Sequence, residues 1–112
     1  MTALECVDEQ LAAYNARDLG RFLACFHDDV RSFLLPEMVP VLDGKTEFGA
    51  FYARERFSRP GLRAEIVNRI AHGDTIIDQE RIFGIAAAPV EMVVMFVVRD
   101  GLIAQVFAIP AK

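Results

Sequence analysis

The sequence lacks an excess of basic residues, a long hydrophobic run and any CxxC motif. Its 112 residues include 12 Lys and Arg against 16 Asp and Glu, and the net charge of −4 leaves no basic face for phosphates. The most apolar stretch, residues 85–98, is interrupted by Pro89 and Glu91 and is too short to cross a bilayer. We therefore expect neither nucleic acid nor a membrane as a partner.

Cysteine and histidine are scarce. Cys6 and Cys25 are lone cysteines, which is typical of small buried side chains in a reducing compartment. Acidic residues near the N-terminus replace the apolar core of a secretory signal, so we expect a cytoplasmic protein. Neither His27, expected at a helix end, nor His72 has a second His or Cys at metal-ligand spacing. We expect no metal and no other cofactor.

Hydrophobic residues are abundant. Counted with glycine and without tyrosine, they make up 65 of 112 residues, or 58%, above the usual share of about 45–50%. The length fits one domain over residues 1–112. A chain this small cannot hide so much apolar surface alone, so we expect a buried cavity or a subunit interface.

The first half of the chain has helical spacing. Thr2 and Glu5 form a capping-box pattern that begins a helix over residues 3–16. Asp18 can cap a second, short helix, which we expect to end at Asp28-Asp29. A short strand over residues 30–35 and a third helix from Lys45 to about Ser58 follow. That helix buries Phe48, Phe51 and Tyr52 and carries a solvated face of Arg54, Glu55, Arg56 and Arg59.

After Gly61 the hydrophobic period changes to two. Four runs separated by short turns predict an antiparallel meander, and they are residues 62–72, 75–85, 90–99 and 102–109. Helices followed by strands indicate an α+β fold. Three helices can cover only one face of such a sheet, so we expect a second copy of the chain on the other face and hence a homodimer.

Several short motifs follow one another in a characteristic order. They are Ala12–Leu19, Phe26–Val30, Asp43–Lys45, Asn68–Ile70, Gly73-Asp74, Ile77–Glu80 and Val98–Ile103. With them the sequence resembles the nuclear transport factor 2-like superfamily, which includes ketosteroid isomerases and SnoaL-like polyketide cyclases. It is most similar to an uncharacterised bacterial branch that is steroid isomerase-like. The resemblance implies a cone-shaped, cystatin-like α+β barrel, with three N-terminal helices on a curved, mostly antiparallel sheet of four to six strands. It also implies a pocket at the open end and dimers packed through the sheet.

The catalytic groups of ketosteroid isomerases are missing. The resemblance places Gln10 at the position of their tyrosine, Leu34 at that of their aspartate base and Val94 near that of their acidic donor. We therefore do not expect isomerisation by their mechanism. Tyr14 lies one turn after Gln10, so the Tyr14 hydroxyl and the Gln10 amide could both hydrogen-bond a ligand oxygen. Alternatively, Tyr14 is a core residue whose hydroxyl lies at the rim.

The strand over residues 75–85 carries charge on both faces. The resemblance places Gln79 and Arg81 inside the cone, together with Val94, Phe96, Gln105 and Phe107. On this register, Arg81 and the two glutamines hold a carboxylate- or carbonyl-bearing ligand, or Arg81 pairs with Glu91. The opposite register turns Asp78 and Glu80 inward as a carboxylate pair for acid–base chemistry.

Two function classes remain open at this point. The first is a protein that binds a small organic molecule in an apolar pocket without catalysis. The second is an enzyme of isomerase, cyclase, dehydratase or epoxide-hydrolase type that acts on a small hydrophobic substrate by acid–base chemistry. Many functions share this scaffold, so the resemblance alone does not decide between them.

Overall fold

The computed structural model describes residues 1–111. Its helices are α1 (Ala3–Asn15), α2 (Leu19–Leu23) and α3 (Lys45–Glu55). Its strands are β1 (Phe26–Leu34), β2 (Leu42–Asp43), β3 (Arg63–His72), β4 (Thr75–Phe83), β5 (Val90–Arg99) and β6 (Leu102–Pro110). The predicted α+β class is confirmed.

Side chains cap the first two helices. Thr2 Oγ1 accepts a hydrogen bond from the backbone N–H of Glu5, and the Glu5 carboxylate accepts one from the backbone N–H of Thr2. The Asp18 carboxylate accepts from the backbone N–H of Arg21 at the start of α2. These bonds satisfy amides that have no partner within a helix, so α1 and α2 begin where the sequence predicts.

The strands form one curved sheet in the order β2-β1-β6-β5-β4-β3. All neighbours are antiparallel except β1 and β6, which run parallel. The C-terminal strand therefore lies inside the sheet and joins the two halves of the chain. Because α1 and α3 pack on the same side, the sheet has an inner face toward the helices and an outer face away from them.

An aromatic cluster joins the helices to β1. The ring of Phe22, which is 1% exposed, lies 4.8–6.2 Å from five other rings, those of Tyr14, Phe26, Phe48, Tyr52 and Phe57. The five-residue helix α2 is too short to be stable alone, so burial of Phe22 holds it in place.

The start of β1 differs from the prediction. The strand begins at Phe26, so His27 and the pair Asp28-Asp29 lie within it and do not end a helix. Phe26 is the parallel neighbour of Ile103, whose backbone N–H donates to the carbonyl of Cys25. This pairing with the far end of the chain overrides the local helix signal.

Two other boundaries also differ from the prediction. Helix α3 ends at Glu55, before Ser58, and the short strand β2 was not predicted. None of the helices within residues 1–111 has the length and apolarity needed to cross a membrane.

Candidate functional site

A cavity of about 330 Å³ lies between the helices α1 and α3 and the inner face of the sheet. Most of its wall is apolar, with Phe26, Phe48, Phe51, Ile82, Met92 and Phe96 among its members. Its polar members are Gln10, Tyr14, Ser32, Tyr52, Arg56 and Glu80. A volume of this size, lined by apolar groups and a few polar ones, is typical of small-molecule sites.

Five of the nine residues predicted for the pocket line this cavity, namely Gln10, Tyr14, Leu34, Val94 and Phe96. That they bind a ligand stays a prediction. The Gln10 side chain is buried and donates one hydrogen bond to the backbone carbonyl of Val7, at 3.2 Å. This bond holds the Gln10 amide against helix α1. The second N–H and the carbonyl oxygen of the amide remain available to a ligand in the cavity.

The other four predicted residues, Gln79, Arg81, Gln105 and Phe107, do not line the cavity. Their placement inside the cone was wrong, because β4 and β6 turn the opposite residues, Glu80 and Ile82 of β4 and Val106 and Ala108 of β6, toward the cavity. Arg81 pairs across the outer face with Glu91 at 3.1 Å and with Glu65 at 3.4 Å, so the alternative with Glu91 as partner is confirmed.

The inner face of β4 carries Asp78 and Glu80, which are 1% and 8% exposed. Asp78 tolerates this burial because Arg69 of β3 donates two hydrogen bonds to its carboxylate, from Nε at 2.6 Å and from Nη2 at 2.9 Å. A third bond ties Arg69 to Asp8 of α1. A buried carboxylate requires such a partner, so this ion pair fixes the register of the strand.

Glu80 has a different environment. It lines the cavity, and within residues 1–111 its carboxylate forms neither a hydrogen bond nor an ion pair with another side chain. Burial raises the pKa of Glu80 to about 7, and the nearby charge of Asp78 acts in the same direction, whereas Arg56 and Arg69 oppose them. A carboxyl group with this pKa can either give or take a proton at neutral pH.

Tyr14 and Arg56 form a second polar unit on the opposite wall. Arg56 Nη1 donates to the Tyr14 hydroxyl oxygen at 3.0 Å, and the Arg56 guanidinium lies over the rings of Phe51 and Tyr52. Because the Tyr14 oxygen is the acceptor here, its O–H is free to donate to an oxygen in the cavity. Burial raises the pKa of Tyr14 and raises that of Tyr52 to about 12, so both hydroxyls keep their protons.

The sequence prediction placed Arg56 on the solvated face of α3, which is wrong. Arg56 follows Phe48 and Tyr52 at intervals of four residues, and residues so spaced share a helix face. This spacing could have placed it toward the cavity. Ser32 was missed as well. The sequence predicted its strand but neither the neighbouring strand nor which of its side chains face the helices.

In the described chain, residues 1–111, no three His, Cys, Asp or Glu side chains are grouped so that they could hold a metal ion.

Comparisons with known proteins agree on the fold. The SnoaL-like domain family matches residues 7–106. No curated protein matches the chain in sequence. The assignment of residues 1–112 to one domain stays a prediction.

Three solved structures illustrate the structural similarity. A candidate ketosteroid isomerase from Kribbella flavida has a TM-score of 0.82 at 19% identity, over 98% of this chain and 78% of that one. A SnoaL-like protein of unknown function from Burkholderia thailandensis has a TM-score of 0.78 at 22% identity, over 98% and 94%. An uncharacterised cystatin-fold protein from Novosphingobium aromaticivorans has a TM-score of 0.78 at 22% identity, over 96% and 97%. At these identities the similarity concerns the fold alone.

Proposed function

The chain belongs to the SnoaL-like domain family, and from this premise we propose that it binds a small, largely apolar organic molecule in the cavity and transfers a proton to or from it through Glu80. The volume of about 330 Å³ and the aromatic wall support a ligand of one or two fused rings or an aliphatic chain of similar size.

The observation that carries the proposal is the Glu80 carboxylate on the cavity wall. Asp78, two residues away, is neutralised by Arg69, but Glu80 has no such partner within residues 1–111. An unpaired buried carboxyl is unfavourable for folding, and groups of this kind are enriched at functional sites. The raised pKa matches the needs of a general acid or base at neutral pH.

The reaction class that fits these groups is proton abstraction next to a carbonyl. Glu80 takes a proton from carbon, the electron pair moves toward the carbonyl oxygen, and the Tyr14 hydroxyl donates a hydrogen bond to that oxygen. This scheme does not reproduce the ketosteroid isomerase arrangement, because Gln10, Leu34 and Val94 stand where the resemblance places its three groups.

Proton exchange in heavy water tests the proposal. We expect the protein to accelerate deuterium incorporation next to the carbonyl of small cyclic ketones such as 1-tetralone, followed by NMR. Glu80→Gln should lower that acceleration by about 10²-fold or more, because a general base contributes that much. Glu65→Gln, an acidic residue on the outer face, is the matched control and should leave the exchange unchanged.

The second candidate function is binding without catalysis. The absence of all three ketosteroid isomerase groups favours it. It predicts that 1-tetralone binds in the cavity without exchange above the buffer rate. Such a result would contradict the role of Glu80 and leave the binding site in place, whereas no binding by any small apolar probe would contradict the site itself.

We further propose a homodimer formed through the outer face of the sheet. An apolar row crosses four strands there, since Ile70, Ile77, Met95 and Phe107 are successive register partners. The rings of Phe33 and Phe107 stack at 4.8 Å. No helix covers this row, and a two-fold axis would place two such rows against each other.

A reducing, cytoplasmic location is also part of the proposal. Cys6 and Cys25 are free and buried, which supports a compartment in which thiols stay reduced. Burial raises the pKa of Cys6 and raises that of Cys25 to about 11, so neither thiol is activated for chemistry.

A further inference from the structure

Arg56 stands on the cavity wall with most of its hydrogen-bond donors unused. It is half-buried just after the end of α3, and it donates a single side-chain hydrogen bond, to Tyr14. A guanidinium has five N–H donors and keeps its charge inside proteins. No carboxylate within residues 1–111 forms an ion pair with it. The remaining N–H donors of Arg56 therefore have no hydrogen-bond partner among residues 1–111.

The neighbouring arginine on the same helix shows the ordinary situation. Arg54 is 68% exposed and pairs with Glu55 at 3.0 Å, so water and a carboxylate satisfy its charge. Arg56 instead lies over the aromatic rings of Phe51 and Tyr52, at 5.9 and 5.7 Å from their centroids. The rings pack against the guanidinium, and within residues 1–111 the Tyr52 hydroxyl is not one of its hydrogen-bond partners.

The charges of the cavity favour an anion at this point. Glu80 is the only acidic residue among the described members of the wall, and it does not hydrogen-bond to Arg56. With a neutral ligand, the guanidinium would keep free donors beside apolar groups, which is unfavourable, and only an ionised Glu80 would offset its charge. A carboxylate matches the planar guanidinium and can accept two parallel N–H bonds from it.

We propose that the ligand is a small carboxylic acid whose carboxylate is bound by Arg56 and whose hydrocarbon part lies among the aromatic side chains of the cavity. This inference rests on the proposed function and names its ligand class. The sequence prediction assigned similar ligand chemistry to Arg81 and two glutamines inside the cone, but Arg81 does not line the cavity.

A pair of probes with the same ring system and similar size tests the inference. 2-Naphthoate carries the carboxylate, and 2-naphthalenemethanol presents the same rings without the charge. We expect the wild-type protein to bind the acid about ten- to hundredfold more tightly than the alcohol, as charge-assisted hydrogen bonds contribute that much. Isothermal titration calorimetry measures both affinities.

Variants locate the effect on one side chain. Arg56→Gln should remove the preference for the acid and leave the affinity for the alcohol within about threefold. Arg56→Lys should restore part of the preference, because it keeps the charge but loses the planar pair of donors. Arg54→Gln, on the exposed side of α3, is the matched control and should keep the full preference.

The outcomes separate the two proposals. Equal affinity of wild-type protein for both probes, a comparison that needs no variant, would overturn the assignment to Arg56 and leave the cavity as a binding site. An unchanged preference in a folded Arg56→Gln would also overturn it. Binding of neither probe would contradict the proposed binding site, and the inference with it.

Discussion

Asp78 and Glu80 lie on the same face of β4, but among the described residues only Asp78 has a charged partner. The difference comes from one extra residue in the neighbouring strand β3. A bulge between Ile66 and Asn68 shifts the pairing of β3 by one position, which places Arg69 opposite Asp78. Without the bulge, Asn68 would stand there and Asp78 would lack a charged partner. Glu80 lies on the other side of the bulge, opposite Ile66, which cannot pair with it.

The pH dependence of stability should report Glu80 directly. Its pKa is about 7 in the folded protein against 4.5 for an unperturbed glutamate. Because the folded value is raised, its stabilising contribution is complete below pH 4.5 and is lost as the pH rises through 7. The difference corresponds to about 3 kcal/mol. Glu80→Gln should therefore gain about that much free energy of unfolding relative to wild type between pH 4.5 and pH 8, measured in urea.

The control for this measurement is Glu65→Gln, which removes an acidic side chain from the outer face. Its free energy of unfolding should follow the wild-type pH profile. A Glu80→Gln profile that runs parallel to wild type would mean that Glu80 titrates in the folded state as it does in water.

The ion pairs of Asp78 and Arg81 in β4 should differ strongly in their effect on stability. Asp78→Asn leaves Arg69 without its buried partner, and breaking such a pair costs about 3 kcal/mol. Arg81→Gln breaks the pairs with Glu91 and Glu65 at a side chain that is 41% exposed, where the cost of each is below about 1 kcal/mol. Chemical denaturation of both variants at neutral pH checks this order, and equal losses would contradict the assignment of inner and outer faces.

The sequence allowed half of the site to be predicted, and particular residues show why. Gln10 and Tyr14 line the cavity because the resemblance placed Gln10 there and Tyr14 lies one turn later on the same helix face. Gln79 and Arg81 were misplaced because β4 carries charge on both faces, so hydrophobicity could not select one. The partner that decides the register, Arg69, is brought into place by a bulge that no local pattern indicates.

At the level of elements, the best predictions were those governed by local chemistry. The capping box at Thr2 and the hairpin turn at Asp100-Gly101 satisfy backbone groups within a few residues, and both lie where predicted. The start of β1 and the existence of β2 depend on pairing with distant strands. Contacts of that kind cannot be inferred from a short window of sequence.

The residue after β4 occupies a position that strongly favours glycine. Gly84 has φ +89°, and a Cβ at this position would overlap the backbone of Gly61. Gly84→Ala should cost about 2–5 kcal/mol, from the left-handed conformation together with overpacking. Gly73→Ala, which has φ +58° but open space around it, should cost only about 1–2 kcal/mol. Thermal unfolding of both variants measures the difference, and similar losses would show that the contact with Gly61 relaxes freely.

The whole molecule has one sheet with two contrasting faces. The inner face is closed by helices and holds the cavity, and the outer face presents the apolar row that we propose as a dimer interface. The proposed site and the proposed interface therefore lie on opposite faces of the same strands, and alternate residues of β4 and β5 belong to one face or the other.

A charge in the middle of the outer row should separate the subunits. Met95 lies between Ile77 and Phe107 in that row, and Met95→Lys would place like charges opposite each other across a two-fold axis. We expect the wild-type protein to sediment as a dimer and Met95→Lys as a monomer in analytical ultracentrifugation. Met38→Lys, at an exposed position outside the sheet, is the control. A monomeric wild type would contradict the proposed interface.

The central position of β6 has a consequence for biosynthesis. β1 is synthesised early, but β6 (Leu102–Pro110), the strand that pairs with it toward the centre of the sheet, is synthesised after all the other strands. Until β6 leaves the ribosomal exit tunnel, β1 and β5 each have an edge without a paired strand. Such edges can pair with other polypeptides, so we expect the nascent chain to need either a chaperone or rapid docking of β6.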